Sequence, residues 1–370
     1  MGIDPVLFSI QLSAFYPDKQ YGGDRIYRDM LEQAVLADQL GFDAVSLTEH
    51  HLINILMMPA PLQFALLIAG KTHHLKIMTS VLVLPIHDMR VFAGELVATD
   101  IFTEGRMLFG VGRGAFGFEM GRLGVPLDTS REKFDESLDL LMALLTEEEV
   151  SWNGKYYRFD PLTIMPRPVY QPHQRLMMGV MAPEAIYHCT KRGFHIQTTP
   201  LSASEQQMHT QVDAFRRGKA ELGHQGDHLS LSLSRVAYLA RDAADQKKKI
   251  KLAHHYYGMF DNVFTGDGIV KNGMIKAVPR KMTIRETAEN LTICPPAEMI
   301  DKLGIYAEAG VDRFIMNLNF GAGQSETLDS IQHFAEDIMP HFSRIPGTAQ
   351  MRQSETARGR HGFSQSQLPG

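Results

Sequence analysis

Short apolar runs alternate with amphipathic stretches along most of the chain. Val6-Leu7-Phe8-Ser9-Ile10 is compact and apolar, and predicts a first buried strand. Over residues 25–40, Ile26, Met30, Ala34, Ala37 and Leu40 recur at spacings of three and four, one face of an amphipathic helix. Gly41 supplies the stop, and Ala44–Leu47 predicts the next strand. The unit then recurs. Residues 61–72 read as a helix, 75–84 as a strand ending at Pro85, Met89–Phe102 as a helix closed by Gly105, and 107–111 as a strand. Residues 131–145 form a strong helix pattern, with Phe134, Leu138, Leu141 and Leu145 on one face.

The alternation breaks once and resumes. Residues 151–160 predict a hairpin turning at Asn153-Gly154, the strongest short turn signal. A proline-rich stretch, 161–172, leads to a strand at 176–180, a helix from Pro183, a strand at 194–197, a helix at 204–222 and a strand at 229–239. Residues 260–291 carry Gly266, Gly268 and Gly273 with no sustained period, and predict a long lid loop. A helix over Pro296–Ala309, a strand at 314–318 and a helix at 325–339 close the series. Roughly eight strand–helix units with no composition break imply a parallel sheet. In this length they favour a closed (β/α)8 TIM barrel over an open doubly wound sheet. Residues 1–342 are expected to form one domain, and the polar tail 343–370 to be disordered.

Composition narrows the functional classes. With 44% hydrophobic and 21% charged residues among 370, the chain has ample material for a large core. A net charge of −5 makes no electrostatic case for nucleic acid or an anionic membrane surface. Two cysteines, Cys189 and Cys294, imply no disulfide framework and a reducing compartment. No signal-peptide pattern and no apolar run of the ~20 residues needed to span a bilayer are present. A cytoplasmic protein is expected.

Four segments carry candidate chemistry. Thr48-Glu49-His50-His51 follows the strand Ala44–Leu47. In a parallel α/β barrel, catalytic groups gather at strand carboxyl ends, and an imidazole there can act as acid or base near neutral pH. Adjacent histidines also occur at His73-His74 and His254-His255, so a structural polar cluster is the competing reading. Strand neighbours point to opposite faces, which argues against a metal held by both His50 and His51. Second, Phe109-Gly110-Val111-Gly112-Arg113-Gly114 is a strand running into glycines around one arginine, a bidentate donor suited to phosphate, or else a tight turn. The next convincing helix starts near Arg131, too far for a dinucleotide fingerprint. Third, Met178-Gly179-Val180-Met181-Ala182-Pro183-Glu184-Ala185 is a strand–helix joint whose free N–H groups suit a phosphate. Fourth, Leu56-Met57-Met58-Pro59 suits an apolar pocket wall or core beneath a loop.

Taken in order, these segments resemble the bacterial luciferase-like monooxygenase family over about residues 5–342. The matching pieces are Gly41-Phe42-Asp43 leading to Glu49-His50-His51, Thr79-Ser80-Val81-Leu82-Val83-Leu84-Pro85, Gly105-Arg106-Met107 through Gly112-Arg113-Gly114, the joint at residues 180–193, and Pro295-Pro296-Ala297-Glu298 through Gly310-Val311-Asp312 to Asp337-Ile338-Met339-Pro340. The likeness is nearest to the luciferase catalytic subunit and other two-component enzymes.

The resemblance implies a (β/α)8 barrel with an extended loop after the seventh strand. It implies reduced FMN (FMNH2) delivered by a separate NAD(P)H:flavin reductase, and O2 adding to the flavin to give a C4a-peroxyflavin that oxygenates a small apolar substrate: an aldehyde, a ketone or a hydrocarbon-like compound. It implies His50 as the catalytic histidine, with Glu49 and His51 beside it, and a homodimer through the early helices. For the flavin it implies Arg113, flanked by Gly112 and Gly114, on the phosphate; a non-proline cis peptide at Ser80-Val81 under the ring; Met181, Ala182 and Ala185 at the strand–helix joint; and residues 260–291 as a mobile lid. Two positions depart from the family pattern. Gly112 stands where the luciferase has a reactive cysteine, and Ala182 and Ala185 stand where it has hydroxyl-bearing phosphate ligands. Light emission is therefore not expected as the role. The competing readings are an F420-dependent oxidoreductase on the same barrel and a non-catalytic flavin-binding protein. No metal is expected.

Overall fold

The alternation of apolar runs folds as eight parallel strands. The computed structural model describes residues 6–342. Its strands are β1 (Leu7–Gln11), β2 (Ala44–Leu47), β3 (Lys76–Thr79), β4 (Met107–Gly112), β5 (Leu176–Gly179), β6 (His195–Thr198), β7 (Leu231–Leu239) and β8 (Arg313–Asn317). Each pairs in parallel with the next, and β8 pairs with β1, from Leu7 against Arg313 to Gln11 against Asn317. The sheet is closed, so the barrel stands and the open doubly wound sheet does not. The connecting helices are α1 (Gly23–Leu40), α2 (Pro61–Ala69), α3 (Met89–Phe102), α4 (Gly117–Arg122), α5 (Leu127–Thr146), α6 (Pro183–Lys191), α7 (Glu205–Leu222), α8 (Ala243–Phe264), α9 (Ile284–Asn290), α10 (Pro296–Ala309) and α11 (Gln324–His333). Among the described residues, no helix is long and apolar enough to cross a membrane.

The period of two along each strand sorts side chains between two cores. Ile77, Phe109, Val111, Leu176, Met178, Ile196, Phe314 and Met316 join the large core beneath the helices. Met78, Met177 and Ile315, with Leu108 against them, form a separate small cluster in the barrel interior. The same alternation turns Gly110, Gly112 and Gly179 inward. At Gly112 and Gly179 that interior space is filled by the Val81 side chain. At Gly110 the room is already taken: a Cβ would lie 2.0 Å from the Thr79 carbonyl oxygen and 2.6 Å from Gln197 Oε1.

Three expectations need correction. The strand at 75–84 is broken: β3 ends at Thr79, the Ser80-Val81 peptide is cis, and Leu82–Val83 rejoins the sheet against Val111 and Gly112. Residues 75–84 hold no glycine or proline that would mark such a break. Residues 260–291 are not a bare loop. α8 runs on to Phe264, Val270–Lys271 pairs antiparallel with Met274–Ile275, and α9 is closed by a capping box between Thr283 and Glu286. Side-chain hydrogen bonds order this segment: Asn262 Nδ2 donates to the carbonyls of Ile269 (2.9 Å) and Lys276 (2.7 Å), and its Oδ1 accepts from Ile269 N–H at 2.9 Å. Finally, a helix does begin soon after the glycines, since α4 starts at Gly117. The expected hairpin forms between Val150–Asn153 and Arg158–Leu162. The tail expected to be disordered lies outside the described residues.

We expect Gly110→Ala to cost at least ~2 kcal/mol of stability, because backbone and a buried amide leave the methyl no space. Gly304→Ala in α10, where nothing lies within 4 Å, should be neutral or stabilising by up to ~1 kcal/mol. Urea-unfolding midpoints of the two variants check both.

Candidate active site

Four of the strands deliver the candidate residues to one end of the barrel. Glu49-His50-His51 follows β2, Ser80-Val81 follows β3, Gly112-Arg113-Gly114 ends β4, and residues 181–185 follow β5. These are all carboxyl ends.

Glu49 is the most deeply placed. Its side chain is 1% exposed. Oε2 accepts the Val83 N–H at 2.6 Å, and Oε1 lies 2.8 Å from His87 Nε2 and 3.3 Å from His51 Nε2. Burial opposes its ionisation, but the bonds to His51, His87 and Val83 outweigh burial and bring its pKa to about 2. The hydrogen bond to Glu49 pushes the His51 imidazole above its ordinary value, against the effect of partial burial.

His50 sits differently. Its Nδ1 is 2.7 Å from Glu119 Oε2, and its ring stacks on Phe116 with centroids 4.5 Å apart. Glu119, buried on α4, also accepts the backbone N–H of His51 through its other oxygen. One carboxylate therefore fixes both the His50 ring and the chain just beyond it. Glu119 escaped the sequence reading because its helix is six residues long, too short for a readable period. Its spacing from the glycine run was the available signal.

The glycines on this face are enforced by Val81. A Cβ at Gly112 would stand 2.6 Å from Val81 Cγ2, and one at Gly179 only 2.2 Å from Val81 Cγ1. The Ser80 hydroxyl accepts from Ser46 Oγ at 2.7 Å, and its N–H donates to the Leu47 carbonyl at 2.6 Å. Gly114 takes a positive φ of 81° with Met120 packed against it. Arg113 makes no hydrogen bond or ion pair with another described residue. Partial burial, and then the like charge of Arg131, lower its pKa. Arg131, at the start of α5, is likewise unpartnered among the described residues, and its charge also reaches the Cys189 thiol on α6. Two unpaired guanidiniums held near each other suit a dianion. Arg131 lies too far along the chain from Arg113 for a motif to reveal the pair.

At the start of α6, Ala182 is the N-cap and makes no side-chain cap bond, so the first N–H groups are uncapped by it. The Met181 carbonyl is taken by Gln211 Nε2 at 2.9 Å. Glu184 is 72% exposed and pairs with His188, so its charge points away to solvent. Leu56 and Met58 are buried and serve as core under the loop, which settles one of their two readings. Met58 also accepts the His50 N–H through its carbonyl, at 3.2 Å. Among the described residues there is no metal-ligand cluster, at His73-His74, His254-His255 or elsewhere. Above His50, Phe116 meets Phe260 and Phe264 of α8 edge-on, at 5.4 and 6.2 Å between centroids.

Comparisons with known proteins bear on the fold and the family. The chain is 24% identical, over 86% of its length and 91% of the relative's, to the flavin-dependent trigonelline monooxygenase, oxygenase component, of Acinetobacter baylyi. Its fold matches that of the monooxygenase RslO1 of Streptomyces bottropensis, with a TM-score of 0.78 at 23% identity over 91% of this chain and all of that one. It also matches an F420-dependent secondary alcohol dehydrogenase in complex with an F420-acetone adduct, with a TM-score of 0.73 at 16% identity over 92% and 99% of the two chains. The sequence profile of the luciferase-like monooxygenases matches residues 8–313, and the chain belongs to that family.

Proposed function

We propose that this chain is the oxygenase of a two-component system, using FMNH2 and O2 to insert one oxygen atom into a small apolar organic compound. The observation that carries the reading is the pair of unpartnered arginines, Arg113 and Arg131, next to a glycine-lined cradle at the barrel end that also holds His50. The residues fit the group. Gly112, Gly179 and Val81 form a close apolar floor for a planar ring, with Ser80 beneath it. Arg113 and Arg131, with Gly114 and the free N–H groups of Met181, Ala182, Glu184 and Ala185, suit a phosphate. When bound, the reduced flavin supplies the electrons that activate O2.

The protein's own part is to bind, orient and manage protons. Glu119 accepts from His50 Nδ1–H and so fixes the tautomer, leaving the Nε2 lone pair to take up or return a proton. Glu49 and His51 hold the adjoining charge in place. Phe116, Phe260 and Phe264 keep water from that side and suit an apolar substrate. A separate reductase is supported by the relative's designation as an oxygenase component. Exposed Leu67 on α2 and Val91 and Phe102 on α3 support a homodimer through these helices. The second reading, hydride transfer with F420, is favoured by the barrel shared with an F420-dependent dehydrogenase.

Anaerobic titration with FMNH2 and with reduced F420, followed by a pulse of oxygenated buffer, separates the two. Saturable FMNH2 binding and delayed appearance of oxidised flavin are expected; binding of reduced F420 alone, without oxygen uptake, would overturn the oxygenase. His50→Ala should abolish product formation with the fold intact by circular dichroism. Replacing Arg113 or Arg131 with Ala should weaken FMNH2 binding roughly tenfold, the scale of a charge-assisted hydrogen bond, and leave binding of reduced riboflavin, which lacks the phosphate, nearly unchanged. Equal losses for both flavins would remove the arginines from the phosphate site.

A further inference from the structure

His87 was not singled out by any motif, yet it shares Glu49, the most buried carboxylate of the site, with His51. Its Nε2 is 2.8 Å from Glu49 Oε1, the same oxygen that His51 Nε2 approaches at 3.3 Å. Glu49 is ionised at neutral pH and can only accept. Both Nε2 atoms must therefore carry hydrogens and donate, which leaves Nδ1 as the open nitrogen of each ring. Glu49 is sealed from solvent, whereas the His51 and His87 side chains are 22% and 27% exposed. Water can thus bring a proton to either ring but not to the carboxylate between them.

We propose that His87 is a positioning residue that, by sharing Glu49 Oε1 with His51, makes the two imidazoles one proton-holding unit. A first proton on the unit adds one positive charge, which the carboxylate neutralises. A second adds charge that nothing in the unit compensates, so charge on one ring opposes charge on the other.

The surrounding groups leave this coupling in place. His51 faces Glu49 and, through its backbone, Glu119. His87 stacks on Phe92 of α3, with centroids 4.5 Å apart, and its carbonyl accepts from the Tyr157 hydroxyl at 3.1 Å. That hydroxyl is pushed up by burial and stays neutral. The neighbouring Asp88 charge is answered by Arg90 and Lys133. Resting on the oxygenase reading, the unit's role is to hold one exchangeable proton at no net charge beside His50, whose own ring takes up or returns a proton.

The test begins with the full-length, ligand-free chain. Imidazole nitrogen NMR of histidine-labelled protein follows His51 across pH. In the wild type its titration should show two steps, with the main midpoint above the ~6.5 of a free histidine. His87→Gln keeps a donor to Glu49 but cannot charge. There the His51 curve should collapse to one step, with its midpoint raised by about half a unit, roughly threefold in protonation constant. A single-step His51 curve in the wild type overturns the proposal, whether or not the variant folds. An unchanged His51 midpoint in a folded His87→Gln also overturns it. The pH profile of FMNH2 oxygenation in His87→Gln should shift in the same direction. Absence of FMNH2 turnover in the wild type at every pH would instead sink the oxygenase reading and leave the NMR result standing.

Discussion

The mouth of this barrel depends on one buried carboxylate. An ionised Glu49 without partners would carry a desolvation cost of several kcal/mol, so the chain must surround it with donors. The donors come from separate places: His51 two residues on, Val83 beyond β3, and His87 at the entry to α3. Satisfying Glu49 therefore ties the loop after β2 to the segment after β3. Ser80 and Val81 lie between those two tie points, so this stretch is held by a hydrogen-bond requirement as well as by apolar packing. Glu119 repeats the device from the β4 side by holding the His50 ring and the His51 N–H.

That arrangement explains why glycine occurs where it does. Val81 projects into the interior between β4 and β5, and only glycine at 112 and 179 lets the strands approach it. Arg113 and Arg131 make no hydrogen bond or ion pair with another described residue. Several buried or half-buried cations, in contrast, are committed: Arg175 to Asp100, Arg313 to Asp43, Lys249 to Glu326.

The framework was readable because strands and helices announce themselves by period. Met89–Phe102 and Pro296–Ala309 match their patterns residue for residue, and His50 was singled out because barrel chemistry collects at strand ends. What escaped was fixed by contacts rather than by period. Glu119 stands on a helix of under two turns, His87 just beyond a 3-10 turn, and Arg131 far along the chain from the arginine it accompanies. α8 was missed because Lys247, Lys248, Lys249 and Lys251 crowd its first turns, and one of them, Lys249, is buried against Glu326 and Asp245 where an apolar residue would have shown the face.

The segment 260–291 shows the same principle at the active site. It was expected as a loop because its sequence has no period, yet polar side chains bind it at both ends. Asn54, in the loop that follows His51, accepts the Ile275 N–H at 2.9 Å and donates to the Tyr16 carbonyl. Arg280 pairs with Asp261 of α8 and donates to Ser202 at 2.6 Å. The hairpin over the barrel mouth is thus fastened directly to the loop carrying His50. Any movement that opens the hairpin must break the Asn54 bond or carry that loop with it. Access to the site and the placement of His50 are therefore physically linked, through a residue outside all four of the sequence segments that carry candidate chemistry.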